Sequence, residues 1–264
     1  MNLVVCLKQV PDTASRIVVT PDGKEIQRQE LSYVINPYDE YALEEALRLK
    51  AAAGSGKVTL LSLGPQRVQE ALRTGLAMGA DEAVHLLDPA VEGSDALGVA
   101  TVLAAALKKI PHEVIWCGWK AVDDDQAAVG PMVATLLGVP CATFITTAVV
   151  ADGGAAVTVE REIERARQTV TIPTPCLLTQ QKGAHEPRYA SLAGIMASKK
   201  KTIMTWTLQD LGLAPLTVGA AARQLEVVRL APPPERQPGR ILQGEPAQAV
   251  QELVRLLKTE AKVL

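Results

Sequence analysis

One stretch constrains the chain more than any other. Val114 to Pro131, VIWCGWKAVDDDQAAVGP, passes from a buried-strand pattern through a glycine and three consecutive carboxylates into an amphipathic-helix pattern. Strand, turn and helix start in that order make the repeating unit of a parallel sheet, because a parallel strand needs a crossover to return. Ligands of such sheets bind beyond the carboxyl ends of the strands, where helix amino ends offer unpaired N–H donors to phosphate. The stretch therefore reads as one wall of a nucleotide pocket.

The same rhythm precedes it. Asn2 to Leu7 is a short apolar run that suits a central strand, and residues 16–34, with the Pro21-Asp22-Gly23 turn, form a hairpin-like excursion. Asn36 is placed as the N-cap of the next helix, with Pro37 at its first position and Asp39 and Glu40 at the positive end of its dipole. Lys57–Leu63 is a second strand, closed by Gly64-Pro65, and Gln66–Met78 a second helix. Ala83–Leu87, Ala96–Lys109 and Glu113–Cys117 continue as strand, helix, strand, and a helix follows Asp125 to about Leu137. Beyond Cys141 the segments ATFITTAVV, AAVTVERE and RQTVTIP alternate as antiparallel strands do, with a turn at Asp152-Gly153-Gly154. A buried strand, PCLLTQQ, leads to a polar loop at 183–188 and a short helix near Leu192–Lys199. After Leu213 the composition turns to alanine, proline and polar residues, and a helix from about Pro246 to Lys262 ends the chain. The predicted fold is α/β: a doubly wound, mostly parallel sheet with an antiparallel extension over residues 1–225, then a C-terminal arm and docking helix over 226–264.

Size and composition exclude several classes. A chain of 264 residues with 48% hydrophobic content buries a sizeable core. The net charge of -2 gives no field that would draw in nucleic acid or an anionic membrane, and 3% aromatic content argues against a base-stacking surface. No apolar run reaches membrane length, and no charged leader precedes the first strand. Cys6, Cys117, Cys141 and Cys176 lie apart in apolar contexts, which reads as buried, reduced thiols in a cytoplasmic protein.

Chemistry concentrates in few places. Asp123, Asp124 and Asp125 serve either as helix cap, as acceptors for ribose hydroxyls, or as Mg²⁺ ligands, the last needing further carboxylates. Neither GxGxxG nor GxxxxGK[ST] is present, His85, His112 and His185 are scattered, and no nucleophile elbow occurs. The mixed charges from Glu160 to Arg167 read as a solvated strand edge, and Lys199–Lys201 as favourable charge at a helix carboxyl end or a lure for an acidic partner. Periodicity and composition alone define only a nucleotide-binding α/β protein.

VVCLKQVPD, NPYDEYALEEALRLK, SLGP with ALRTGLAMGAD, GWKAVDDDQAAVGP, VEREIE through IPTPCLLT, and EPRYASLAGIMASKKK, in this order and over nearly the whole chain, resemble the β (small) subunit of electron transfer flavoprotein. The resemblance implies an adenine nucleotide alpha hydrolase-like fold. It also implies a heterodimer with an α subunit that holds FAD at the interface, and a structural AMP in this subunit. Such carriers take electrons from flavin dehydrogenases, such as the acyl-CoA dehydrogenases, and pass them to a quinone oxidoreductase or another acceptor. The implied AMP pocket comprises Cys6, Asn36, Pro37, Tyr38, Asp39 and Leu63, with the run Gly118, Trp119, Lys120, Ala121, Val122, Asp123, Asp124, Asp125, Gln126, Ala127, Ala128 and Val129. The loop from Lys8 to Thr13 is implied near the isoalloxazine, with Thr13 where many relatives carry tyrosine. Arg188, Tyr189, Leu192, Ile195, Met196, Lys199, Lys200 and Lys201 fall on the family's dehydrogenase-recognition loop, Leu192 being its apolar knob. A bifurcating branch that oxidises NADH holds a second FAD instead of AMP and reads DGDTAQVGP there. DDDQAAVGP shares Asp124 with the AMP type and Val129-Gly130-Pro131 with the bifurcating type. A stand-alone nucleotide-binding or adenylating enzyme is the remaining alternative.

Overall fold

A computed structural model describes residues 1–234 and 238–264. Four short parallel strands build its centre: β1 (Leu3–Cys6), β4 (Val58–Leu63), β5 (Glu82–Leu86) and β6 (Val114–Gly118), with β2 (Gln9–Pro11) and β3 (Tyr33–Ile35) pairing separately as an antiparallel ladder. The sheet is completed by β7 (Cys141–Ala151), β8 (Ala156–Ile163), β9 (Ala166–Pro173), β10 (Cys176–Gln180) and β11 (Ile203–Trp206) in the order β11-β5-β4-β1-β6-β10-β7-β8-β9. All neighbours from β11 to β7 are parallel, while β7, β8 and β9 pair antiparallel.

Period-two side chains divide the core in two. Leu3, Val5, Leu60, Val114 and Trp116 face one layer, packed under α1 (Pro37–Ala53) and α2 (Val68–Met78) through Leu43, Ala46, Leu72 and Leu76. Val4, Leu61, Val84 and Ile115 face the other, under α3 (Ala96–Leu107) and α4 (Val129–Leu137) through Leu103, Leu107, Val133 and Ala134. Each fully buried leucine or isoleucine contributes about 1.5–3 kcal/mol, so both layers are held by burial rather than by helix propensity. The fifth helix, α5 (Leu192–Lys200), packs on α2, and α6 (Leu208–Leu211) on α3.

Because β1 lies between β4 and β6, the chain winds away from β1 on both sides, and the carboxyl ends of β1 and β6 flank the switch point.

Several expectations need correction. The helix placed directly after Asp125 begins only at Val129. Ile203–Trp206 forms an edge strand that the pattern does not announce, since only two of its four residues are half-buried and none is buried. Cys141 is exposed, whereas Cys176 is buried and Cys6 and Cys117 are half-buried.

The described residues fall into two units: residues 1–18 with 26–228, and residues 19–25 with 229–264. In the second, the Thr20–Glu25 turn accepts an N–H from Leu230 at Gly23 (2.6 Å), and α7 (Gly219–Ala222) of the first unit is followed in the chain by α8 (Pro246–Thr259), which buries no residue. Of the arm expected over 226–264, residues 235–237 lie outside the described residues. Among the described residues, no helix is long and apolar enough to cross a membrane.

Candidate functional site

The switch point is organised by the first turn of α1. Pro37 occupies its first position, as a residue without a backbone donor can, and Asn36 precedes it. Asn36 does not cap the helix with its side chain. Its amide crosses instead to the loop after β6, donating from Nδ2 to the Lys120 carbonyl (2.9 Å) and accepting at Oδ1 from the Val122 N–H (3.1 Å). Asp39 makes the matching bridge one turn deeper. Its Oδ2 accepts from the Lys8 N–H and its Oδ1 from the Gly118 N–H, each at 2.7 Å, so one carboxylate ties together the ends of β1 and β6. Only 4% of Asp39 is exposed. Burial pushes its carboxyl up to about 7, against the two donated N–H groups. A Cβ on Gly118 would lie 2.5 Å from Asp39 Oδ1 and 2.7 Å from Tyr38 Cβ, so this position admits no side chain.

The aspartate triplet is not a helix cap. Asp123 and Asp124 fold over the end of β1 onto the Lys8 ammonium (2.8 and 3.0 Å), and Asp125 pairs with Lys120 (2.8 Å). Burial alone would lower the Lys8 pKa, but the two carboxylates more than reverse it, so Lys8 stays charged. Beyond them the backbone alternates in handedness, with Asp125 at φ 53° and Ala127 at φ 52°, both unusual for residues carrying a Cβ. Such alternation turns successive N–H groups toward one side and forms an anion-seeking concavity. The first turn of α4 has no side-chain cap, and the amides of Ala127, Ala128, Val129 and Gly130 have no protein acceptor among the described residues. Ala127, Ala128 and Val129 are half-buried and Gly130 is buried. Left-handed Ala127 costs about 1–2 kcal/mol relative to glycine. Ala127→Gly is accordingly expected to raise the midpoint of thermal unfolding, and a lowered midpoint would contradict the strain.

The remaining walls are neutral. Leu63 ends β4 beside β1, where the Ser62 hydroxyl donates to the Leu7 carbonyl (2.6 Å) and buried His85 holds the Gly64 carbonyl from Nε2 (2.9 Å). Burial, aided by the Asp39 charge, pushes the Cys6 thiol up to about 12, and burial raises Cys117 as well. Neither thiol is a nucleophile at neutral pH. Trp119 turns toward β7, edge-on to Tyr38 (5.6 Å) and Phe144 (4.9 Å), with the Lys120 ammonium 4.7 Å above its ring. Cys6, Asn36–Asp39, Leu63 and Gly118–Val129 thus gather at the carboxyl ends of β1, β4 and β6. A separate hollow among α3, α4 and α6, walled by Ala104, Ala105, Leu136 and Leu213, stands apart from this edge. Sequence reasoning missed Lys8 as the partner of the triplet, because no local pattern joins residues 115 apart.

The second group of expected residues forms a ridge rather than a pocket. Tyr189 is 98% exposed, Leu192 78% and Met196 56%, so Leu192 does not pack beneath its own helix. Arg188 turns inward to Glu44, and Lys201 donates to the Ala80 carbonyl, so neither is a free surface charge; Lys199 and Lys200 are exposed.

The fold and this edge define a doubly wound α/β protein with an uncapped, anion-seeking loop at its switch point. Residues 24–211 match the electron transfer flavoprotein domain. The chain is 39% identical over 265 residues to the electron transfer flavoprotein subunit beta of Bacillus subtilis, covering 100% of both chains. It is 38% identical over 260 residues to the subunit of the same name from Thermoanaerobacterium thermosaccharolyticum, covering 98% of each. Over 245 residues it is 36% identical to the caffeyl-CoA reductase-Etf complex subunit CarD of Acetobacterium woodii, covering 92% of each. The chain belongs to the electron transfer flavoprotein family.

Proposed function

We propose that this chain is the β subunit of a heterodimeric electron carrier, holding AMP at the carboxyl edge while an α subunit holds the FAD. The heterodimer takes electrons from flavin dehydrogenases such as acyl-CoA dehydrogenases and passes them to a quinone oxidoreductase or another acceptor. The redox chemistry belongs to the flavin. This chain's residues bind and orient. The observation that carries the reading is the set of acceptorless amides from Ala127 to Gly130, which suit a phosphate at the amino end of α4. Asp123 and Asp124 supply acceptors for ribose hydroxyls, and the strand ends at Cys6 and Leu63 supply an apolar seat for the base. AMP acts there as a structural filler, its binding energy added to folding stability.

The bifurcating alternative is favoured by Val129-Gly130-Pro131 and by the likeness to a reductase-complex subunit. One measurement separates the two. Acid extraction of the copurified heterodimer is expected to release one FAD and one AMP; two FAD and no AMP would assign the bifurcating role instead. A colourless heterodimer that transfers no electrons from a reduced acyl-CoA dehydrogenase to a dye would remove both.

A further inference from the structure

We infer that Glu44 is a positioning residue for protein docking: from within α1 it fixes, through Arg188, the direction in which Tyr189 and Leu192 project. The inference rests on the reading of the ridge as the dehydrogenase-docking surface.

From residue 181 to 190 no side chain is buried, so apolar packing does not order the loop. Its order comes from α1. Glu44, 3% exposed, takes the Arg188 guanidinium in a two-pronged pair (Nε 2.7 Å, Nη2 3.0 Å) and also accepts the Arg188 backbone N–H (3.2 Å). Glu45 accepts from His185 Nδ1 (2.8 Å), and the Tyr41 hydroxyl donates to Glu186 (2.8 Å). The two-pronged geometry fixes direction as well as distance, which a single ammonium contact would not. Tyr189 follows Arg188 immediately, and Ser191 caps α5 by accepting the Gly194 N–H (3.0 Å).

The far end of the ridge is pinned separately. Arg73 on α2 donates to the carbonyls of Ser198 and Lys201, and a Cβ on Gly194 would lie 2.3 Å from the Ala77 carbonyl oxygen. With both ends held, Tyr189, Leu192 and Met196 stand exposed between clamps, with Lys199 and Lys200 at the rim. The ridge fits an apolar socket edged with carboxylates. Because an ordered ridge loses less freedom on binding than a mobile one, the clamp acts on affinity and not on the electron-transfer step.

The test uses the full heterodimer, an acyl-CoA dehydrogenase reduced by its acyl-CoA as the probe, and a dye as final acceptor. Glu44→Gln keeps shape and removes the charge; it is expected to raise KM for the dehydrogenase about 5–10-fold with kcat unchanged. Arg188→Lys, a change on the exposed side of the pair, should raise KM by a smaller factor and serves if Glu44→Gln does not fold. Amides of residues 184–191 should exchange faster in both variants while those of the central sheet do not. Leu192→Ala is the reference arm. A KM raised by Leu192→Ala but not by Glu44→Gln or Arg188→Lys overturns the inference and leaves the docking reading intact. A KM that no variant moves overturns the docking reading and the inference with it, and unchanged exchange at 184–191 removes the clamp.

Discussion

Asp39→Ala is expected to lower stability by about 2–6 kcal/mol, because two part-buried N–H donors, those of Lys8 and Gly118, lose the carboxylate that accepts them, at about 1–3 kcal/mol each. Asp39→Asn keeps one acceptor oxygen and turns an NH₂ toward the other donor, so it should cost roughly half as much. The two variants also carry a pH signature. The carboxyl stands near 7 in the folded chain, chiefly through burial, against about 3.9 when unfolded. Between those limits the folded chain keeps a proton that the unfolded chain has released. The stability contributed through this group is therefore complete below the unfolded value and is lost as pH rises through about 7. Urea midpoints of the wild type and Asp39→Asn, taken near pH 5 and near pH 8, should show the wild-type advantage shrinking at the higher pH. A constant difference would mean that Asp39 does not hold its proton by burial. Both variants should also release the loop after β6, since Gly118 and Lys8 would no longer be held to α1, and retained nucleotide should fall in parallel with stability.

How much of this was legible without coordinates depended on the range of the interaction. The alternation of Leu3, Val4 and Val5, and of Val114, Ile115 and Trp116, places successive side chains in opposite layers, and that local period predicts the double-faced sheet correctly. Residues expected at the strand ends do converge at the switch point, because a strand's carboxyl end is a property of its own segment. Errors arose where a distant partner outbid a local preference. Asn36 has the sequence position of an N-cap, yet its amide is spent on Lys120 and Val122, more than 80 residues away. Three aspartates before an apolar run look like a helix start, but Lys8 and Lys120 draw them off, and the helix begins at Val129. The pairing of Arg188 with Glu44, buried on α1 more than 140 residues away, has no local pattern to announce it either. Ile203–Trp206 gives no periodic signal because this edge strand half-buries only one residue on each face, Ile203 on one and Trp206 on the other.

Ala128→Asp is expected to separate folding stability from nucleotide retention, two properties that Asp39 variants lower together. A carboxylate at the amino end of α4 interacts favourably with the helix dipole, by about 0.3–1 kcal/mol at a partly exposed position, and gives the free amides an acceptor they now lack. The ligand-free chain should therefore unfold no earlier than the wild type. The same carboxylate competes for the donors assigned to the phosphate and repels its charge, so AMP affinity should fall roughly 100-fold, about 2.7 kcal/mol. Ala128→Asn, of nearly equal size but neutral, should retain most of the affinity. Calorimetric titration of each heterodimer, stripped of nucleotide, with AMP distinguishes charge from bulk. If Ala128→Asp bound AMP as the wild type does, the phosphate would have to lie elsewhere along the edge, and the uncapped start of α4 would be a local defect of the helix rather than a seat for an anion.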